Sequence, residues 1–446
     1  MHSPSLRMRL RVALAAAALL TACSHTSAPG PVAPAAAVAP PAPASVATAP
    51  AKAAPAAATA TPAATVTARV EPAKPRTFVA PAPVRFEDSI ARAGQGLFAD
   101  ARAQLGDEAR DIVVDPLIDA NTGGQTISTA RMGQQLESIV KTGYSGWSVK
   151  PLTRQALATQ PLLLIGTLTP VNVERAVDTP PDAFRVWLTL IDLRSGRVVA
   201  KQLDRATIDS VNPEPLPYYR DSPTWHKDKT VQAYINSCQV NTQIGDPADP
   251  EYLARLPAAA VVNEAIIAYG EGKLPVAQKL YKEAETVADP GDLRVLNGLY
   301  LTSWQLGQRD AAKEAFGKLV VAGLELKRLP VKLLFQPGKT SFNPAGDLPQ
   351  QYQIWLGALA QQAGKVNACV RVVGHSSRTG NARSNETLSR QRAEVVQRLL
   401  EQNNRALTTR LSATGVGSKE ALVGLGTDDQ RDALDRRVEF RVVDCV

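Results

Sequence analysis

Between positions 27 and 84 nearly every residue is Ala, Pro, Val, Thr or Ser, as in PGPVAPAAAVAPPAPASVATAPAKAAP. Large buried side chains are what offset the entropy lost when a backbone is ordered, and this stretch has almost none. Its composition gives an extended, partly polyproline-II tether, and at about 3.1 Å per residue it can reach on the order of 180 Å. The 446-residue chain is thereby divided. A short segment precedes the tether, and roughly 360 residues follow it, enough for two or more cores.

The preceding segment has arginines at 7, 9 and 11, then the apolar run VALAAAALL at 12–20. That run is too short to span a bilayer and reads as the core of a signal peptide, residues 1–22. It closes on LTAC, 20–23, which resembles the lipobox of bacterial lipoproteins. The resemblance implies that Cys23 is diacylated through sulfur, becomes the first residue after cleavage and is then N-acylated. At about 0.8 kcal/mol per buried methylene, palmitate-sized chains make a durable anchor. Ser24 follows, where an inner-membrane retention signal of that family would place Asp. The expectation is a protein lipid-anchored to the cell outer membrane and facing the periplasm, with residues 23–84 as lipidated cysteine and tether.

The formal net charge of +8 is spread along the chain without long basic blocks. This argues against a nucleic-acid partner and is compatible with an anionic polymer. Beyond Cys23 the cysteines are Cys238, Cys369 and Cys445, with no C-x-x-C pair and no histidine at ligand spacing, so neither a metal nor another cofactor is expected. Cys369 and Cys445 lie in or beside strand-like segments of one region, and an exported protein can hold a disulfide. They are expected to pair and leave Cys238 free.

No catalytic residue is expected, and the chain does not read as an enzyme. GYSGW at 143–147 misses the nucleophile-elbow pattern in its last residue. His375 and Ser376 are adjacent in a strand and point to opposite faces. Asp428, Asp429, Asp432 and Asp435 interleave with Arg431, Arg436 and Arg437, which reads as a solvated, ion-paired face rather than as paired catalytic carboxylates.

The overall expectation is a multidomain α+β protein. Residues 85–250 should form a small α/β domain. Phe86, Ile90, Ala93, Leu97, Ala101 and Leu105 recur at helical spacing, and IVVDPLI (112–118) reads as a buried strand. A helix within 123–143 follows, then strands at 162–168, 184–193 and 197–203, the last two joined by the turn RSG. The order, with ANTGGQT and LLLIGTL, resembles the CsgG/LpoB/FlgO-like domains of envelope lipoproteins. ANTGGQT lacks a Gly-Lys-Ser/Thr or a GxGxxG and reads as an ordinary loop before a helix.

Residues 251–329 repeat themselves. EGKLPVAQKLYKEA (271–284) aligns with LGQRDAAKEAFGKL (306–319), setting Gly272 over Gly307, Ala277 over Ala312 and Tyr281 over Phe316. This resembles the tetratricopeptide repeat. Two repeats are few, so the helical hairpins should lean on their neighbours, either as a connector between domains or as a partner-binding groove.

Residues 330–446 alternate strand and helix, which implies a compact α/β sandwich. VVGHSSRTG, NETLSRQRAEVV, ATGVGSKEA and DRRVEF occur here in that order. Together they resemble the OmpA C-terminal peptidoglycan-binding family, whose members hold the diaminopimelate of the stem peptide. The resemblance implies a ligand loop at GHSSRTG (374–380), with His375, Ser377, Arg378, Asn385 and Arg392 as ligand-binding residues. Arg392 falls among Leu388, Val395, Val396 and Leu399, on the apolar stripe of its helix. Such an arginine either meets an anion or acceptor or lays its stem over the core with its head in water.

Two positions depart from the family. Ser377 stands where an aspartate grips the ligand, and a neutral hydrogen bond contributes about 0.5–1.5 kcal/mol against about 1.5–3 for a charged one. Asp435 stands where Asn is usual. Arg378 adds a charge that attracts a carboxylate. The implied function is an outer-membrane lipoprotein that binds peptidoglycan noncovalently, tethering envelope layers and positioning a protein partner through residues 85–329. The alternative is an accessory or scaffold subunit of an envelope machine for secretion, motility or cell-wall synthesis, acting mainly through 85–329.

Overall fold

The computed structural model describes residues 79–446 except 173–178, 240–241, 367–368 and 446. Cys23, the signal peptide and nearly all of the tether lie outside the described residues. The described chain belongs to one compact unit, residues 72–446. Among the described residues no helix is long and apolar enough to cross a membrane.

The first layer set runs α1 (Phe86–Leu105), β1 (Arg110–Val114), β2 (Ile118–Asp119), α2 (Ile127–Gly143), β3 (Trp147–Pro151), α3 (Arg154–Leu157), β4 (Leu162–Val171), β5 (Ala183–Asp192) and β6 (Arg197–Thr207). The sheet order is β3-β1-β4-β5-β6, with β2 beside β4. The β3, β1 and β4 strands are parallel, whereas β4, β5 and β6 run antiparallel. LLLIGTL is a continuous apolar run because both of its faces are covered. Leu162 and Leu164 pack under α1 and α2 with Ile90, Leu97 and Leu136. Leu163 and Ile165 face the next helices with Val231, Ile235 and Leu256. The single strand expected at 112–118 is two short strands separated at 115–117, where Pro116 lacks the N–H a ladder needs. At the other edge Val84 exchanges backbone bonds with Arg205 and Thr207 of β6.

Two short helices follow, α4 (Pro217–Asp221) and α5 (Lys229–Cys238), then two antiparallel hairpins: α6 (Pro250–Gly270) with α7 (Leu274–Val287), and α8 (Leu293–Gln305) with α9 (Arg309–Glu325). Gly272 and Gly307 hold the same left-handed turn, at φ 72° and 75°, and Tyr281 and Phe316 are both fully buried. The α6 helix serves two cores: Leu256 and Ala259 cover the first sheet, and Val261, Val262 and Ala265 join the hairpins.

The C-terminal sheet is built from β7 (Arg328–Leu334), β8 (Cys369–Gly374), β9 (Leu411–Gly415) and β10 (Arg437–Val443), in the order β7-β10-β8-β9. Helices α10 (Leu348–Lys365) and α11 (Ala382–Asn403) belong to the same half. The β7 strand begins earlier than LLFQPG implied, and Gln336 already turns away from it. This sheet shares one continuous core with the helical hairpins. Trp355 Nε1 donates to the Tyr300 hydroxyl (2.8 Å), which donates to Gln351 (2.7 Å), and Phe316 stacks on Trp355. Cys369 and Cys445 are joined by a disulfide with Cα atoms 5.0 Å apart, and Cys238 is free and buried.

Candidate functional site

GHSSRTG connects β8 to α11. Gly374 is there because the helix lies directly on the strand end: a Cβ on it would sit 1.8 Å from the Ser389 carbonyl oxygen. Gly380 has φ +85°, in the left-handed region that favours glycine, and turns the chain into the helix. Asn381 then caps α11, its side chain accepting the Ser384 N–H at 2.8 Å. The buried face of α11 is Asn385, Ser389, Arg392, Ala393, Val396 and Leu400. The small side chains of Ser389 and Ala393 lie where two strand ends, at Gly374 and Gly415, press against the helix.

Arg392 meets acceptors, as one of the two sequence readings had it, but they are the protein's own carbonyls. It is fully buried, yet its head meets neither water nor an anion. Nε donates to the Lys339 carbonyl (3.0 Å), Nη1 to that of His375 (2.9 Å) and Nη2 to that of Gln336 (2.9 Å), with the guanidinium over the Phe335 ring. Burial pushes its pKa down to about 10, and Arg436 adds repulsion. The side chain therefore clamps the β7 exit to the start of the loop, and brings a positive charge beneath it.

Ser377 is the position around which the site assembles. Its hydroxyl donates to Asp428 Oδ1 at 2.8 Å and lies 3.0 Å from Thr379 Oγ1. Arg436 Nη1 donates to the same Asp428 oxygen at 3.1 Å. Asp428 belongs to a loop far along the chain, and two buried carboxylates hold that loop in place. Asp435 accepts the backbone N–H groups of Leu422, Val423 and Gly424. Asp432 accepts those of Leu425, Thr427 and Asp428. The acidic run is thus not the solvated face expected of it: Asp432 and Asp435 are fully buried loop braces, and Asp429 alone of the four pairs in the open, with Arg431. Asp435 at the family's Asn position has a use, since its two oxygens accept three N–H groups.

The other expected residues scatter. His375 contributes its carbonyl to Arg392, while its buried ring sits in the field of Arg437, Glu439, Arg441 and Arg328, and burial drives its pKa well below the ordinary value. Burial works against the Glu439 charge too, yet Arg437 and Arg328 hold it below the usual carboxylate range. Asn385 is buried beside Gly380 and Gly417. Arg378 reaches the Thr179 carbonyl at 3.3 Å, and Pro181 packs near Gly424, so the β4–β5 connection borders the loop.

Several buried polar atoms in this stretch have no hydrogen-bond partner among the described residues: both His375 ring nitrogens, Ser376 Oγ and Arg378 Nε. Such orphans are rare in folded chains. Sequence reasoning missed Asp428 and Arg436, and a pairing across 51 residues leaves no spacing signal.

Residues 334–434 match the OmpA family, and this part of the chain is an OmpA family domain. Solved structures similar to it include the peptidoglycan-associated lipoprotein from Burkholderia pseudomallei, at 24% identity, TM-score 0.22, covering 25% of this chain and 89% of that one. Another is the cell wall anchor of the T6SS from Pseudomonas aeruginosa, at 23% identity and TM-score 0.22, covering 29% and 96%. The periplasmic domain of Helicobacter pylori MotB matches at 20% identity and TM-score 0.21, covering 26% and 70%. No curated protein matches the chain.

Proposed function

We propose that the chain is an envelope protein whose C-terminal domain binds peptidoglycan noncovalently at the loop of residues 374–380, without catalysing a reaction. The observation that carries this reading is an OmpA family domain whose strand-to-helix loop joins Ser377, Asp428 and Arg436 while leaving buried polar atoms unmet. The stem peptide's diaminopimelate end has the charges such a site takes. Cys23 carries the lipid that holds the protein at the outer membrane, and the Ala/Pro-rich stretch gives the reach from that membrane to the wall. Residues 85–329 position a partner protein.

Cosedimentation of the whole chain with insoluble peptidoglycan tests the binding. The isolated C-terminal half is unsuitable because its core continues into the helical hairpins. Retention in the pellet is expected; a chain that stays in the supernatant at low salt overturns the reading. Mass spectrometry of the mature amino-terminal peptide tests the anchor, with an acylated Cys23 expected and an unmodified one excluding it.

A further inference from the structure

Ser377 alone supplies no charge, and the loop needs none of its own if the charge arrives from elsewhere. We infer that Asp428, carried in from the 424–432 loop, is the anionic grip of this site, and that it takes the ammonium group of a zwitterionic amino-acid end of the ligand. The inference rests on the peptidoglycan reading above and names the residue that decides which stems are held.

Four observations converge on Asp428. First, one of its oxygens, Oδ1, receives both Ser377 and Arg436, and no hydrogen bond to Oδ2 is made among the described residues. A carboxylate has about four lone-pair sites, so capacity remains for a donor from outside. Second, its backbone is left-handed, at φ 57°, a conformation that Asp takes up more readily than most non-glycine residues when local hydrogen bonds hold it. Here Asp432 imposes it by accepting the N–H groups of Thr427 and Asp428.

Third, its side chain is about one-third exposed, at 34%, whereas the braces Asp432 and Asp435 are sealed. A ligand can reach Asp428 and cannot reach them. Fourth, the hydroxyls of Ser377 and Thr379, 3.0 Å apart, stand beside it as further acceptors for an ammonium.

The charges around it fit a zwitterion better than a simple cation. Arg392 and Arg436 lie close enough for each to act on the pair, and both spend hydrogen bonds on carbonyls of the protein. Among the described residues Arg378 makes one hydrogen bond, of 3.3 Å, and its Nε has no partner. A ligand carboxylate is drawn to that guanidinium while the ammonium beside it meets Asp428.

The test compares the unmutated chain with Asp428→Asn, which keeps an oxygen for Ser377 and Arg436 but not the charge. Each is titrated against two peptidoglycan preparations of the diaminopimelate type, one untreated and one with its free amino groups acetylated. The expected result is at least tenfold weaker binding of Asp428→Asn to untreated material, at an unchanged unfolding temperature. Acetylation should weaken the unmutated chain to a similar degree and leave the variant unaffected.

A variant within twofold of the unmutated chain overturns the inference, as does a variant still weakened tenfold by acetylation, because the ammonium would then be gripped elsewhere. If Asp428→Asn lowers the unfolding temperature, Ser377→Asp in the same chain returns a carboxylate to the spot. Recovery of the acetylation-sensitive binding supports the inference, and no recovery counts against it. Failure of the unmutated chain on untreated material is a different result, which removes the peptidoglycan reading and this inference with it.

Discussion

Two glycine-containing loops in this protein each lead from a strand into a helix, and they differ in how many of their polar groups are met. ANTGGQT is braced both from within and from a distance: Asn121 Nδ2 donates to the Leu422 carbonyl at 3.0 Å, and the Thr122 and Gln125 carbonyls accept from His226 and Leu216. Asp119 Oδ1 accepts the N–H groups of Asn121 and Thr122 and the Thr122 hydroxyl, and Thr126 and Thr129 exchange bonds as a capping box. Gly123 supplies the left-handed turn at φ 73°. In GHSSRTG the side chains reach Asp428 of a distant loop and the β4–β5 connection, and among the described residues buried polar atoms stay unmet. A loop whose polar groups are all met by the protein is a piece of scaffold. One that leaves them unsatisfied within a braced frame has the form of a binding site.

The sharpest way to break this contrast is at the first glycine of the second loop. Gly374→Ala sets a Cβ against the Ser389 carbonyl and should cost more than about 3 kcal/mol in denaturant unfolding. A loss under 1 kcal/mol would show that α11 does not press on the strand end. Next comes the bridge at the start of the same strand. Cys369→Ser opens a loop closed across 76 residues and should cost about 3 kcal/mol, with thiol counting of the unmutated chain returning Cys238 alone among the three downstream cysteines.

The first loop offers a pH experiment of the opposite sign. Burial holds the Asp119 carboxyl at about 6, against its hydrogen bonds and the nearby Lys227. Its unfolded value is near 3.9, so the folded state keeps the proton longer, and stability should fall as pH rises from about 4 to about 6 and level off beyond. Asp119→Asn keeps the accepting oxygen without the charge. It should therefore gain about 2–3 kcal/mol over the unmutated chain at pH 7 and nothing at pH 3. An equal gain at both would place the cause elsewhere. The smallest effect belongs to Ser377→Ala, about 1 kcal/mol or less, since Arg436 still holds Asp428. A loss above 2 kcal/mol in the same measurement would make Ser377 a structural brace rather than part of a site.

Much of this was legible in the chain. The helical period fixed α1 at 86–105, and the terminal run RVEFRVV is β10 residue for residue, because burial repeats at short range and so does the sequence. Arg392 stood out for the same reason, as a charge on an apolar stripe. Its three carbonyl partners could not be read, because they come from separate segments that meet only in the packed domain. The acidic run was misread for a related cause. From spacing alone, Asp432 and Asp435 look like Asp429, and only burial separates the braces from the exposed ion pair.

By itself, then, the sequence determined α1, the terminal strand and the loop that ends in Gly380, all of which depend on local composition and period. The tertiary structure decided which carboxylate serves that loop. A position in sequence carries a side chain's chemistry but not its neighbours, and the charge missing at Ser377 is restored by a residue that only folding brings within 2.8 Å.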